Sequence, residues 1–185
     1  MRQRCLYVSP WRIDVTVRDS AAPTPSLAVL SRAIARALTA AGAPEPASIG
    51  LVLSDDAELA DLNRTHMGAD GPTDVLSFPL LPASAYPPHA GGRGDASGAP
   101  ASTEFVEPPG QRRHLGDIVV SVERAIEQAA AGHGGQTGDI RWSPRDELRL
   151  LVTHGTLHVC GWDHAEPREE AAMRALEQRL LAEGR

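Results

Sequence analysis

Three histidines, His154, His158 and His164, stand within the run THGTLHVCGWDHA. Positions i and i+4 share a helix face, so the first two imidazoles point the same way. Gly161 lies between the second and the third, and glycine can take the left-handed backbone that ends a helix and turns the chain back. His164 then returns to the same point. Three neutral imidazoles suit a borderline-soft divalent ion such as zinc, one per chain, and three protein ligands leave a fourth tetrahedral position for water. A lone histidine is more often an ordinary surface or packing residue. Three of the chain's seven at this spacing, with a glycine turn between them, meet a geometric requirement for a metal site. Such an ion keeps its double positive charge, attracts a phosphodiester and lowers the pKa of its water toward ~7.

The same ligand spacing occurs in metzincin peptidases, which carry Glu directly after the first histidine as general base. This chain has Gly155 there, which cannot accept a proton, so a metallopeptidase becomes the second reading. Asp163, beside the last histidine, is placed to orient an imidazole through its second ring nitrogen, or else is a solvated turn residue. Trp162 either stacks on a base or closes the helix end as core. Cys160 faces away from His158 on the helix and reads as a small buried hydrophobe. Arg141, Arg145 and Arg149 repeat every four residues, the pattern of a solvated face.

These residues need a frame. Trp11, Ile13, Val15 and Val17 alternate with polar residues as a strand does, and Leu27, Leu30, Ile34 and Leu38 step by three and four as on an amphipathic helix begun at Ser26. Ile49, Leu51 and Leu53 make a second strand. Asp55 followed by Glu58 reads as a capping box for a helix through Leu62 and Asn63. Residues 73–78 (TDVLSF) and 114–121 (HLGDIVVS) are two further strands, the latter running into a helix with Val122, Ile126 and Ala129. Ser143, Pro144 and Asp146 start the helix that carries the first two histidines, with Leu148, Leu151 and Val152 on its buried stripe. Pro167 opens another helix, with Met173, Leu176 and Leu180 on one face and Glu170 four residues before Arg174. The fold class expected is α+β: a single domain with one small mixed four-stranded sheet, about five helices, and the metal site on a helix and the turn after it.

Residues 82–113 show no sustained period, and 17 of these 32 positions are Pro, Gly or Ala. They read as a disordered or inserted loop, and removal of 83–112 is expected to leave stability and zinc content nearly unchanged. Residues 131–138 read as a second surface loop. The domain is expected at 11–183, with 1–10 as an N-terminal extension. The chain has 185 residues and a net charge of −6, which opposes sequence-blind adhesion to nucleic acid, so any such contact must be local. All 18 cations are arginine, most simply as a compositional bias. No apolar run approaches the ~20 residues of a bilayer span, and the basic start lacks an apolar signal region. With only Cys5 and Cys160, a cytoplasmic protein is expected.

Three stretches together, HGTLHVCGWDH at 154–164, PTDVLSFP at 72–79 and LGDIVVS at 115–121, resemble the YbeY family of bacterial metal-dependent endoribonucleases and rRNA-maturation factors. The resemblance implies zinc held by His154, His158 and His164, cleavage of single-stranded RNA, and a role in 3′ maturation of small-subunit 16S rRNA and in ribosome quality control. It implies the small ribosomal subunit or an assembly factor as partner; neither DNA nor membrane is expected. Ser77 and Asp117 border the cleft by the same resemblance. Where Met67 stands the family has an arginine that serves phosphate binding, and where His66 stands, an aromatic. Arg64, three residues before Met67, either takes over the missing cation's work, if the helix from Asp55 continues that far, or is a solvated helix charge. The candidate catalytic positions are therefore Arg64, Gly155 and Asp163. A non-catalytic assembly factor with structural zinc is the rival reading that the loss at Met67 favours.

Overall fold

The alternation in WRIDVTV buries one face of strand β2 (Trp11–Val17) and leaves the other half exposed. The next strand, β3 (Ala47–Ser54), is buried at nearly every position, as befits a central strand with neighbours on both edges. In the computed structural model, which describes residues 1–24, 26–90, 112–132 and 143–183, the sheet has five strands instead of the expected four. The fifth is β1 (Arg2–Val8), from the segment read as an extension; it pairs antiparallel with β2 from Arg2 opposite Val17 to Val8 opposite Trp11. Most of its side chains are exposed and only Leu6 and Val8 pack against the core, so backbone pairing carries much of it and the apolar alternation is too short to announce it.

The strand order is β1-β2-β3-β5-β4, where β4 is Val75–Pro79 and β5 is Arg113–Ser121. The pairs β2·β3 and β3·β5 are parallel, and β4 closes the far edge antiparallel to β5. Ile49, Leu51 and Leu53 of β3 join Ile118 and Val120 of β5 in the main core. Two helices, α1 (Leu27–Ala40) through Leu30, Ile34 and Leu38, and α4 (Pro144–Val159) through Leu148, Val152 and Leu157, belong to that core. The other face carries a small cluster of Leu59, Leu76 and Val119 under α2 (Asp56–Leu62).

Asp55 caps α2 by accepting from the Glu58 backbone N–H at 2.9 Å. The box is not reciprocal, because the Glu58 carboxylate is taken by Arg18 and Ser54. Nor does the α-helix reach Met67: it ends at Leu62, passes into one π-helical turn over Asn63–Met67, and stops at Gly68 with φ of +67°. By contrast α4 has the complete capping box of Ser143 and Asp146, with Pro144 in the first turn. Arg149, read as part of a solvated stripe, is buried: it donates to the Leu181 carbonyl at 3.0 Å and pairs with Asp146, tying α4 to α5 (Pro167–Glu183). Arg141 lies outside the described residues. The remaining helix, α3 (Val122–Ala131), ends at Gly132.

The beginning of the segment read as an appendage is packed. After a short 3₁₀ turn at Ala83–Ala85, Tyr86 is 4% exposed within the main core, and Pro87 lies against Gly42. At the other end the Arg112 guanidinium donates to the Pro10 carbonyl and sits 5.7 Å from the centre of the Tyr7 ring. Residues 91–111, with most of the expected loop, lie outside the described residues.

Candidate metal centre

On α4, Gly155 lets the helix approach the sheet. A β-carbon there would lie 2.8 Å from Ile118 Cγ2 and 3.1 Å from Val75 Cγ2. Ser77 Oγ also donates to the Gly155 carbonyl at 3.1 Å, across β4. Gly155 therefore faces the sheet, not the cleft, and the position after the first histidine has no room for a base.

His154 and His158 stand one turn apart on the same helix face, with Nε2 atoms 3.0 Å apart. The chain leaves α4 at Cys160, turns at Gly161 with φ of +82°, and brings His164 back, its ring centre 5.0 Å from that of His158. The potential ligand atoms of the three histidines all lie within 4.8 Å of one another, close enough to hold one metal ion. Among the described residues no fourth His, Cys, Asp or Glu joins the group. The trio lines a cleft of about 680 Å³ whose wall includes Asp74, Ser77 and Met67.

Each helical imidazole is fixed through its far nitrogen. His158 Nδ1 is 2.9 Å from the Trp162 carbonyl, to which it donates, and that leaves Nε2 as the acceptor. His154 Nδ1 lies 2.7 Å from Oε1 of Glu177, a carboxylate on α5 that is almost fully buried. Burial, reinforced by His154 and His164, pushes the His158 pKa down to about 4, so this ring is neutral at physiological pH. The orienting task imagined for Asp163 is thus done for His154 and His158 by Glu177 and a carbonyl. Asp163 lines the cleft and accepts from the His164 backbone N–H at 2.8 Å. Glu177 went unnoticed in the sequence, though it carries a signal: an acid four residues after Met173 and three before Leu180, inside the helix's buried stripe.

The remaining candidates are placed as follows. Cys160 is fully buried and faces away from the trio, with burial holding its thiol at about 12. Trp162 lines the cleft, but one face of its ring is covered by His89, stacked at 4.0 Å and 8°. Met67 reaches the cleft, whereas Arg64 does not line it and instead pairs with Asp61 at 2.7 Å. His66 packs edge-on against Phe78, occupying the place of an aromatic with an imidazole. Asp117 lies away from the cleft, 3.3 Å from His114 Nε2.

With this geometry in hand, a family model described as Endoribonuclease YbeY matches residues 14–185. The chain is 43% identical over 169 residues to the Endoribonuclease YbeY of Salinispora tropica, covering 90% of this chain and 92% of that one. It is 36% identical over 171 residues to the protein of the same name from Roseiflexus castenholzii, covering 91% and 90%. The fold is similar to that of a Thermotoga maritima protein solved in solution, with a TM-score of 0.51 and 20% identity over 92% of this chain and 88% of that one.

Proposed function

Because the chain belongs to the YbeY endoribonuclease family, we propose that it is a zinc-dependent endoribonuclease that cuts single-stranded RNA. Its place is the cytoplasm, in the 3′ maturation of 16S rRNA and in ribosome quality control, with the small subunit or an assembly factor as partner. Among the described residues no helix is long and apolar enough to cross a membrane.

The observation that carries the chemistry is the convergence of His154, His158 and His164 on one point of an open cleft. The donor set fits zinc. With the Nδ1 sides of His154 and His158 engaged, two Nε2 lone pairs face each other at 3.0 Å, an arrangement that repels unless a cation or a proton lies between them. Bound there, zinc supplies Lewis-acid polarisation of a phosphodiester and an acidified water. The protein's residues hold and aim. Glu177 and the Trp162 carbonyl fix two rings, Asp163 fixes the turn that presents His164, and Gly155 seats the helix on β4 and β5. Arg64 can serve a phosphate only by leaving Asp61, and an ion pair this exposed is worth no more than ~1 kcal/mol.

The absence of a fourth ligand among the described residues favours this reading over a closed structural zinc site, and the crowding at Gly155 disfavours a peptidase. The test is zinc-loaded protein with single-stranded and duplex RNA, with and without chelator. Single strands should be cut, duplex spared and chelator should abolish cleavage. The double variant His154→Ala/His158→Ala should bind far less than one zinc and be inactive. Full cleavage in chelator, or by the double variant, would overturn the proposal.

A further inference from the structure

A second concavity, about 630 Å³, opens between the β1–β2 turn, α1 and α5, and shares no lining residue with the histidine cleft. Its lining includes three arginines, Arg32 and Arg36 from α1 and Arg179 from α5. Elsewhere Arg12, Arg18, Arg124, Arg149 and Arg174 are each held by a carboxylate. These three have no hydrogen bond or ion pair among the described residues, although Glu183 also lines the groove. Arg32 and Arg36 stand one helical turn apart, a like-charge spacing that works against the helix.

The histidine cleft raises the complementary question. Among the described residues no arginine lines it, whereas Asp74 and Asp163 do, and the whole chain carries a charge of −6. A polyanionic strand therefore gains little Coulombic hold there and needs a local cationic surface elsewhere. We propose that the Arg32–Arg36–Arg179 groove is that surface: a second site, distinct from the cleft, that grips the phosphate backbone of single-stranded RNA. This rests on the endoribonuclease reading above. Guanidinium forks suit bidentate contact with phosphate oxygens. Trp11, the one aromatic among the described residues of the groove, is 1% exposed and its indole nitrogen is committed to Thr39 Oγ1, so these residues offer no ring face to a base. Recognition here is of backbone charge and blind to sequence.

The test compares zinc-loaded wild type with R32A/R36A/R179A and R32K/R36K/R179K, using a labelled, unstructured 2′-O-methyl oligonucleotide and fluorescence anisotropy across a salt series. Each lost single-strand phosphate contact lowers the log–log salt slope by ~0.7, so the alanine variant should lose about 2 from the slope and bind at least tenfold more weakly. The lysine variant should keep most of the slope. Zinc content of both should match wild type, and neither should melt below it. For a long cleavable strand, the alanine variant should show a raised KM with kcat unchanged. Unchanged affinity and slope in the alanine variant, beside a wild type that binds and cuts RNA, would overturn the groove assignment and leave the nuclease reading standing. A wild type that neither binds nor cuts RNA would remove both. If polyglutamate binding falls in the alanine variant while RNA binding does not, the groove belongs to an acidic protein partner and the proposal is wrong.

Discussion

Gly155→Ala separates a packing role from a solvent-facing one by the sign of its effect. On an exposed helix position the change adds about 1 kcal/mol of helix propensity, and melting should rise. At this position the new methyl would meet Ile118 Cγ2 at 2.8 Å, Val75 Cγ2 at 3.1 Å and Ser77 Oγ at 3.2 Å. Ile118 is fully buried and cannot swing away, so the helix itself must lift. Overpacking of this kind costs ~1–3 kcal/mol, which after the propensity gain leaves a net loss of about 1 kcal/mol. For a chain of this size that lowers the melting temperature by roughly 2–4 °C. The lift also stretches the Ser77–Gly155 hydrogen bond and displaces both flanking ligands, so zinc affinity should fall together with stability. Calorimetry of metal-free protein gives the first quantity and competition with a chromophoric chelator the second. An unchanged or raised melting temperature would show that α4 does not sit on the sheet as tightly as described.

Three further outcomes follow from other contacts. Glu177→Gln keeps an oxygen near His154 Nδ1 but removes the charge, and should weaken zinc binding about 10-fold, with Glu177→Ala nearer 100-fold; chelator competition checks both. Glu147 is 3% exposed, and burial, with Asp74 adding, raises its carboxyl from 4.5 to about 7. The folded chain thus keeps a proton that the unfolded chain releases, stability falls as pH rises from about 4.5 to about 7, and the full cost is present above that range. Glu147→Gln should therefore stabilise at pH 8, by up to roughly 3 kcal/mol, and have little effect at pH 4, which urea melts at the two pH values will decide. Tyr86→Ala should cost ~3–5 kcal/mol of stability by thermal or urea melts, whereas Tyr86→Phe, which keeps the ring and loses only the hydroxyl beside the buried Cys160 thiol, should cost about 1 kcal/mol or less.

Much of the frame was legible because burial wrote itself into spacing. The period-two apolar residues of β2 and the three-and-four steps of α1 lie where they were expected. The histidine trio was legible for the same reason, since helix geometry and one glycine turn suffice to bring the rings together. Where backbone pairing or long-range side-chain partners decide, the sequence was silent. β1 has only Leu6 and Val8 against the core, too short an apolar alternation to stand out, and Arg149 looks like any helical arginine until Leu181 and Asp146 surround it. Tyr86 sits in a Pro- and Ala-rich run whose composition spoke for a loop, yet one aromatic ring reaching the core is enough to anchor its beginning. The helix after Asp55 ends near Leu62 and Asn63 as read, but the condition that it continue to Met67 fails, because the π turn there keeps helical spacing while rotating the faces, which leaves Met67 at the cleft and Arg64 with Asp61.

The hydrogen bond from α5 to His154 also imposes an order on synthesis. The central ladder joins β3 to β5 across more than sixty residues, so the sheet cannot close until Ser121 has been made. The ligands come later still, and Glu177 follows His164 by thirteen positions. A nascent chain emerging N-terminus first thus has the whole of its sheet before Glu177 is available to orient His154. His154, the first of the three in sequence, therefore gains its carboxylate partner only once α5 has been made.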